Sequence, residues 1–498
     1  MDAERSASRP LEPGTVQLED LTFSQYGEII LQPAPSDDPN DPLNWSRIRK
    51  TVNFSLVCLY TVMVYTVIDI STVVYGQVHD ELGFSFQVLN QSFAASNAGL
   101  AIGGVLFVPF AFKFGRRPIY LISIVIMLGT TVWQACMQNR GDLYGFSVVS
   151  GLAGSIGETI CAMTLADLFF VHQRGSLTNV LTIAINTGAY LGPVAAGYVA
   201  ASQGWRWIWW WCSILLGVTL LLFVFCYEET IYIPEIQGTV IEGTADHGLD
   251  KDQIAIDSKA EASHLERRPI RSDIPIKSYK QRMSLFTTTD YGLGSVLRHT
   301  YQPFVVITTF PGVSFVALLY GSLLAWLAIV LSVQGIYFTL PPYSFSSSGV
   351  GLLNVPTFVG SLLGGFYGGQ LSDYSIQWLA RRNGGLYEPE MRLWLALPTI
   401  LITPAGYFMF GLSMAEVIGD AYIGITFLRN AFGTVAAMCL SPWIDSMGLY
   451  NMTVMSGCLS IIITLLTIPV MIWGRRGRGW TATRYRAMAA QQFDARTA

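Results

Sequence analysis

The chain has 498 residues, 51% of them hydrophobic and 13% charged. Soluble domains carry about 25% charged residues, so a set of water-solvated globular domains is excluded, and the mean hydropathy of +0.42 points to lipid. A net charge of −4 gives no basic surface for nucleic acid, and no nucleic-acid partner is expected.

Residues 1–49 are polar and Pro-rich and are expected to form a cytoplasmic, mostly disordered tail. No cleavable leader is expected, because the first apolar run is long enough to act as its own insertion signal. Apolar runs follow near 51–73, 90–112, 118–138, 143–168, 176–201 and 206–226. Each reaches the about 20 residues that a helix needs to cross the hydrocarbon. Backbone polar groups cannot stay unpaired in lipid, so each run is expected to be helical. Together they form a six-helix bundle over 50–226. A charged cytoplasmic linker occupies 227–302, and further runs lie near 311–338, 348–371, 393–413, 423–443 and 452–473. These make a second bundle over 303–474, ahead of a basic tail at 475–498. The expected fold class is an all-α membrane protein of two helical bundles with 6 + 5 apparent spans.

Basic residues in the connections set the orientation. Arg47, Arg49 and Lys50 precede the first run; Lys113, Arg116 and Arg117 separate the second from the third. The linker holds nine Lys or Arg, and Arg381, Arg382 and Arg392 follow the eighth run. Connections 74–89 and 339–347 have none. The N-terminus and the linker are therefore expected in the cytoplasm. Eleven spans would then end outside, yet Arg475, Arg476 and Arg478 signal inside. Between Ser413 and Arg429 only about 22 Å of helix is available, short of the ~30 Å core. One crossing is missing there.

The cysteines Cys58, Cys136, Cys161, Cys212, Cys226, Cys439 and Cys458 all lie in apolar runs without metal-ligand spacing. They read as small apolar filler, so neither a disulfide framework, a metal site nor a cofactor is expected.

Several motifs resemble the fungal drug–proton antiporter branch of the major facilitator superfamily, with its polyamine- and histidinol-permease-like members. The likeness runs from about Asp38 to Thr483. It is carried by Asp41-Pro42-Leu43-Asn44-Trp45-Ser46, Gly115-Arg116-Arg117-Pro118 and Gly157-Glu158-Thr159. Ala166-Asp167-Leu168-Phe169-Phe170-Val171-His172-Gln173-Arg174-Gly175 adds to it, as does Gly188-Ala189-Tyr190-Leu191-Gly192-Pro193 with Gly197. In the second half Gly369-Gln370-Leu371-Ser372-Asp373, followed by Arg381-Arg382-Asn383, is similar to the matching loop. Three departures stand out. Phe112 occupies a position where the family has an acid, and Ser147 one where many antiporters have arginine. Against the family pattern most of the tenth helix is lost between Ser413 and Asp420.

Ionisable groups in a span cost about 2.5–3.5 kcal/mol at mid-helix, so each needs a reason. Glu158 lies near the centre of the fourth run among Ser155, Gly157, Thr159 and Thr164. It is the first candidate for binding a proton, a cationic substrate, or both in turn. Burial favours the neutral acid and a nearby cation the carboxylate, which is a basis for exchange. A permanently hydrogen-bonded structural carboxylate is the alternative. Asp69 is a second acidic candidate or a helix-end cap. Asn186 and Tyr190, four residues apart, are expected to share a cavity-lining face, and Asn97, Gln334 and Asn354 are similar candidates. Asp167 reads as a cytoplasmic pairing partner near Arg174. Gly188, Gly192, Pro193 and Gly197 allow close helix contact and a bend. Lys113, Gly115, Arg116 and Arg117, with Gly369, Asp373, Arg381 and Arg382, read as an inner gate or as inside-positive retention.

No Walker-type phosphate loop is present, which disfavours ATP-driven pumping, and no nucleophile–base set suggests an enzyme. The expected function is secondary, proton-coupled export of small organic or cationic compounds by a monomer in the lipid bilayer, at the plasma membrane. Uptake of polyamine-like cations is the alternative. A third reading is a sensor or defective transporter that binds solute without cycling.

Overall fold

The computed structural model describes residues 38–232, 277–285, 293–309, 311–341 and 344–367, with Val16–Gln17 and isolated positions 371, 374–375, 378–379, 382, 386–387 and 465. The expected ninth and tenth runs, the eleventh apart from position 465, the lost tenth helix, Gly369, Asp373 and Arg381 lie outside the described residues.

The chain enters its first helix through a short 3-10 turn, Pro42–Asn44. Asp41 caps this turn by accepting from the Leu43 amide at 2.9 Å. The Trp45 indole donates to the Asn40 carbonyl at 3.2 Å, and the Arg49 guanidinium lies 3.7 Å from the centre of the Trp45 ring. Lys50 donates to the Leu43 carbonyl at 2.9 Å. The entry motif is thus a folded knot of local bonds that fixes where the first span begins.

Helix α1, Arg47–Asp69, is capped by Ser46 and continues through a 3-10 turn, Ile70–Val74, into α2, Tyr75–Leu82. The sequence suggested a connection over 74–89; instead α2 occupies half of it. Tyr75 and Val78 are buried, which rewards the extra turns, and Gly83 ends them at φ 67°. The whole rod, Arg47–Leu82, has 36 residues, about 54 Å, and so outruns the ~30 Å hydrocarbon. Helix α3 spans Phe86–Phe114 and α4 spans Arg116–Ala135. The fourth rod breaks at Ser155 into α5, Arg140–Gly154, and α6, Ile156–Leu168. The fifth joins α7, Val171–Asn186, through a π turn at Thr187–Leu191 to α8, Gly192–Gln203. Helix α9, Trp205–Cys226, completes the first bundle.

Beyond the linker come α10, Tyr279–Arg282, and α11, Leu293–Thr309, which begins inside the segment assigned to the linker and packs on α3. Helix α12, Pro311–Tyr337, fills the seventh expected run; α13, Ser347–Leu352, and α14, Asn354–Phe366, fill the eighth. Among the described residues, seven rods are long and apolar enough to cross a membrane. Strand pairing among them is limited to two residues, Val16–Gln17 antiparallel to Leu386–Tyr387.

Glycine sets how closely the rods cross. A Cβ on Gly151 would lie 2.1 Å from the Ser96 carbonyl oxygen, and one on Gly99 would lie 2.6 Å from that of Val148. Helices α3 and α5 therefore meet backbone to backbone, as membrane helices do where small residues line the seam. The two bundles touch in the same way. A Cβ on Gly197 would sit 2.6 Å from the Ser347 carbonyl, one on Gly351 2.8 Å from that of Pro193, and one on Gly335 2.5 Å from that of Thr72.

Candidate functional site

Glu158 stands in the first turn of α6, just past the Ser155 break and near the middle of the fourth rod. Its side chain is half-buried, and its Oε1 accepts from the Tyr65 hydroxyl of α1 at 2.8 Å. Tyr65 itself is 4% exposed and reaches the fifth rod as well: a Cβ on Gly188 would lie 3.1 Å from its Cβ. The Thr66 hydroxyl donates to the Gly188 carbonyl at 3.3 Å. Helix α1 is thus the common neighbour of the acid and of the π turn. Asp69 lies four residues beyond Tyr65, on the same face and about 6 Å further along the axis. It is buried at the last position of α1, beside the 3-10 turn.

The π turn places Gly188, Ala189 and Tyr190 in the interior. It closes i→i+5 instead of i→i+4, so the face expected to carry both Asn186 and Tyr190 is skewed. Tyr190 is buried and Asn186 half-buried. Gly188 and Gly192 meet α1 at Val62 and Thr66, whereas Pro193 and Gly197 meet α13. Gln334 and Asn354 are buried, each with a carbonyl oxygen lacking a partner. Asn97 donates to its own helix, at Phe93.

A second group gathers at the end of the bundle where α1 and α4 begin. The backbone turns at Gly115 with φ 99°, and a Cβ there would lie 2.3 Å from Glu229 Oε2. That carboxylate, which follows α9, accepts from the amides of Arg116 at 2.9 Å and Arg117 at 3.0 Å. It also accepts from its own neighbours Thr230 and Ile231. Glu229 therefore caps α4 from 113 residues away, placing negative charge where the helix dipole favours it. Arg116 pairs with Asp167 of α6 at 3.2 Å and donates to the Ala111 carbonyl. Its guanidinium lies 5.1 Å from the centre of the Phe112 ring. The aromatic that replaces the family's acid thus still faces the cation, through a cation–π contact. Ser147, where many antiporters carry arginine, is buried and bonded within its helix to Leu143.

Arg117 donates to the carbonyls of Val224, Ser284 and Met283, tying the segment around α10 to the first bundle. Glu228 receives Arg49 through Nε at 2.9 Å and Arg282 at 3.6 Å. Just before these carboxylates in the chain, Tyr227 is fully buried, and burial, with Glu229 nearby, pushes its phenol well above the usual range. Arg174 caps α6 by donating to Ala166 and Phe169 carbonyls. Lys113 lies 5.7 Å from the Phe114 ring centre, and Arg382 4.0 Å from that of Trp378. Sequence reasoning missed Tyr65, Glu228 and Glu229. The Tyr65 hydroxyl left no signal in an apolar run, while the two acids stood at the start of the linker and could have been flagged as helix-end charges.

The Major Facilitator Superfamily model matches residues 57–465. An uncharacterized MFS-type transporter of Schizosaccharomyces pombe is 30% identical, over 95% of this chain and 94% of that protein. Protein HOL1 of Saccharomyces cerevisiae is 25% identical, over 96% of this chain and 95% of that one. The efflux pump radE of Floropilus chiversii is 25% identical, over 75% and 64% respectively.

Proposed function

Because the chain belongs to the Major Facilitator Superfamily and is a multi-pass membrane transporter, we propose that it exports small organic cations in exchange for protons. The observation that carries this reading is the Tyr65–Glu158 bond at 2.8 Å near mid-membrane. A carboxylate there is costly unless used, and its side chain is only half-buried. Proton and cation then compete for one acid, and alternating access of the two bundles exposes it to each side in turn. Glu158 is the shared binding group, Asp69 a second acidic step, and Asn186 and Tyr190 line the path. The efflux name of one relative supports the outward direction.

The end that holds Lys113, Gly115, Arg116, Arg117, Asp167 and Arg174 is the cytoplasmic one, since basic residues collect there. Its ion pairs keep the first bundle's inner ends together, with Gly369, Asp373, Arg381 and Arg382 as their counterparts in the second half. The protein works as a monomer in the plasma membrane with its N-terminus in the cytoplasm. The test is flux in proteoliposomes, with ethidium as an organic-cation probe and an imposed pH gradient. Gradient-driven ethidium movement that a protonophore abolishes is expected; movement indifferent to the gradient would remove the coupling. Spermidine moving with the proton in the same vesicles would replace export by uptake.

A further inference from the structure

The core of the first bundle carries a line of polar side chains that the solute path does not use. Thr61, Tyr120, Cys161, Thr164, Tyr227 and Thr230 are each 0% exposed. They come from α1, α4, α6 and the segment after α9, among apolar neighbours such as Ile124, Ile160 and Phe223. Spacing links them in sequence. The Cys161 thiol lies 3.4 Å from the Thr61 hydroxyl and 3.5 Å from that of Tyr120. The Tyr120 hydroxyl lies 3.0 Å from that of Thr164. Tyr227 stands edge-on to Tyr120, its ring centre 5.2 Å away. Its hydroxyl has the side chains of Thr164 and Thr230 beside it. The Thr230 amide meets Glu229 at the basic face.

At the other end the line meets the proposed coupling acid. Cys161 follows Glu158 by three residues on α6, and Thr61 precedes Tyr65 by four on α1. Both therefore sit one turn from the Tyr65–Glu158 bond, on neighbouring positions of the same helices. The Thr61 and Thr164 hydroxyls also donate to the Val57 and Ile160 carbonyls one turn back, at 2.8 and 2.9 Å, so each must rotate away from its own helix to serve the line.

We infer that this line of hydroxyls carries protons between Glu158 and the basic face, through the bundle core and apart from the route of the solute. The inference rests on Glu158 being the coupling acid. A hydroxyl both donates and accepts, and the Cys161 thiol does so weakly, so each member takes one proton and passes on its own. When Glu158 deprotonates, its O–H bond breaks and the proton passes to the adjoining hydroxyl. One proton leaves to water beside Glu229, and every side chain in between ends as it began. Rotation of the Tyr227 hydroxyl between Thr164 and Thr230 closes the joint near the basic face, and the one-turn step from Tyr65 and Glu158 to Thr61 and Cys161 is the other joint that the relay requires.

The test follows the carbonyl stretch of the protonated carboxyl by time-resolved infrared after a rapid pH drop, on the purified full chain. The band belonging to Glu158 is the one that Glu158→Gln lacks. Tyr120→Phe, Tyr227→Phe and Thr164→Val should each slow its appearance about a hundredfold or more, the scale of a lost proton-transfer group. Final amplitude and thermal midpoint should stay as in the unaltered chain, which a merely structural role would not give. Thr164→Val replaces a hydroxyl by a methyl of the same shape, so it decides the matter if a tyrosine variant unfolds. Unaltered rates in folded variants would overturn the relay while leaving Glu158 its role. A spectrum that Glu158→Gln leaves unchanged would instead remove the coupling acid, and the relay with it.

Discussion

Two carboxylates of the first bundle live under opposite regimes. Glu229 accepts four backbone amides at one helix end and closes a turn that admits no side chain at Gly115. Glu158, near mid-membrane, accepts from Tyr65 and keeps part of its surface open. Bonding on every side makes an acid a fastener. An acid that is only half-buried can change its partner. The contrast separates groups that hold the bundle together from groups that work in it.

The sharpest way to break this contrast is Glu158→Gln. Gradient-driven ethidium flux should fall by about a hundredfold or more, within the range seen for lost acid–base groups, while the yield of folded protein stays the same. Coupled flux that survives would return Glu158 to the structural class. Next is Gly151→Leu, where a new side chain would begin 2.1 Å from a carbonyl oxygen. Overpacking of this kind costs about 1–3 kcal/mol or more, so thermal unfolding in detergent should begin well below that of the unaltered chain. An unchanged midpoint would show that α3 and α5 do not cross at this seam.

Glu229→Ala should cost about 1–2 kcal/mol through the lost cap on α4. Ethidium flux per folded molecule should persist, so a variant that is stable but inactive would move Glu229 into the working set. The smallest effect belongs to Phe112→Ala. Loss of the contact with Arg116 should cost about 0.5–1 kcal/mol, whereas Phe112→Asp should restore stability by adding an ion pair. If aspartate were worse than alanine there, the aromatic would be packing rather than facing the cation.

Much of the fold could be read in the chain because lipid makes the reading local. A run such as 206–226 needs only its own residues to become α9, since its backbone bonds close within it. Where burial reached past the apolar run the reading fell short, as at Tyr75 and Val78, whose interior contacts carry the first rod on to Leu82. The site divided in the same way. Glu158 was conspicuous as a charge in grease, but Tyr65 was one aromatic among many until α1 and α6 were brought together.

The amino-acid sequence by itself determined that this is a helical membrane protein, where its first six rods lie, which ends are basic, and that Glu158 is costly where it stands. Only the tertiary structure decided what those groups meet. Arg116 chose Asp167 over nearer charges, Glu229 reached back to cap α4, and a π turn skewed Asn186 from Tyr190. Hydropathy is a property of a segment and is felt wherever the segment goes. A hydrogen bond between residues more than a hundred positions apart exists only after the helices have crossed, at the angle their glycines permit.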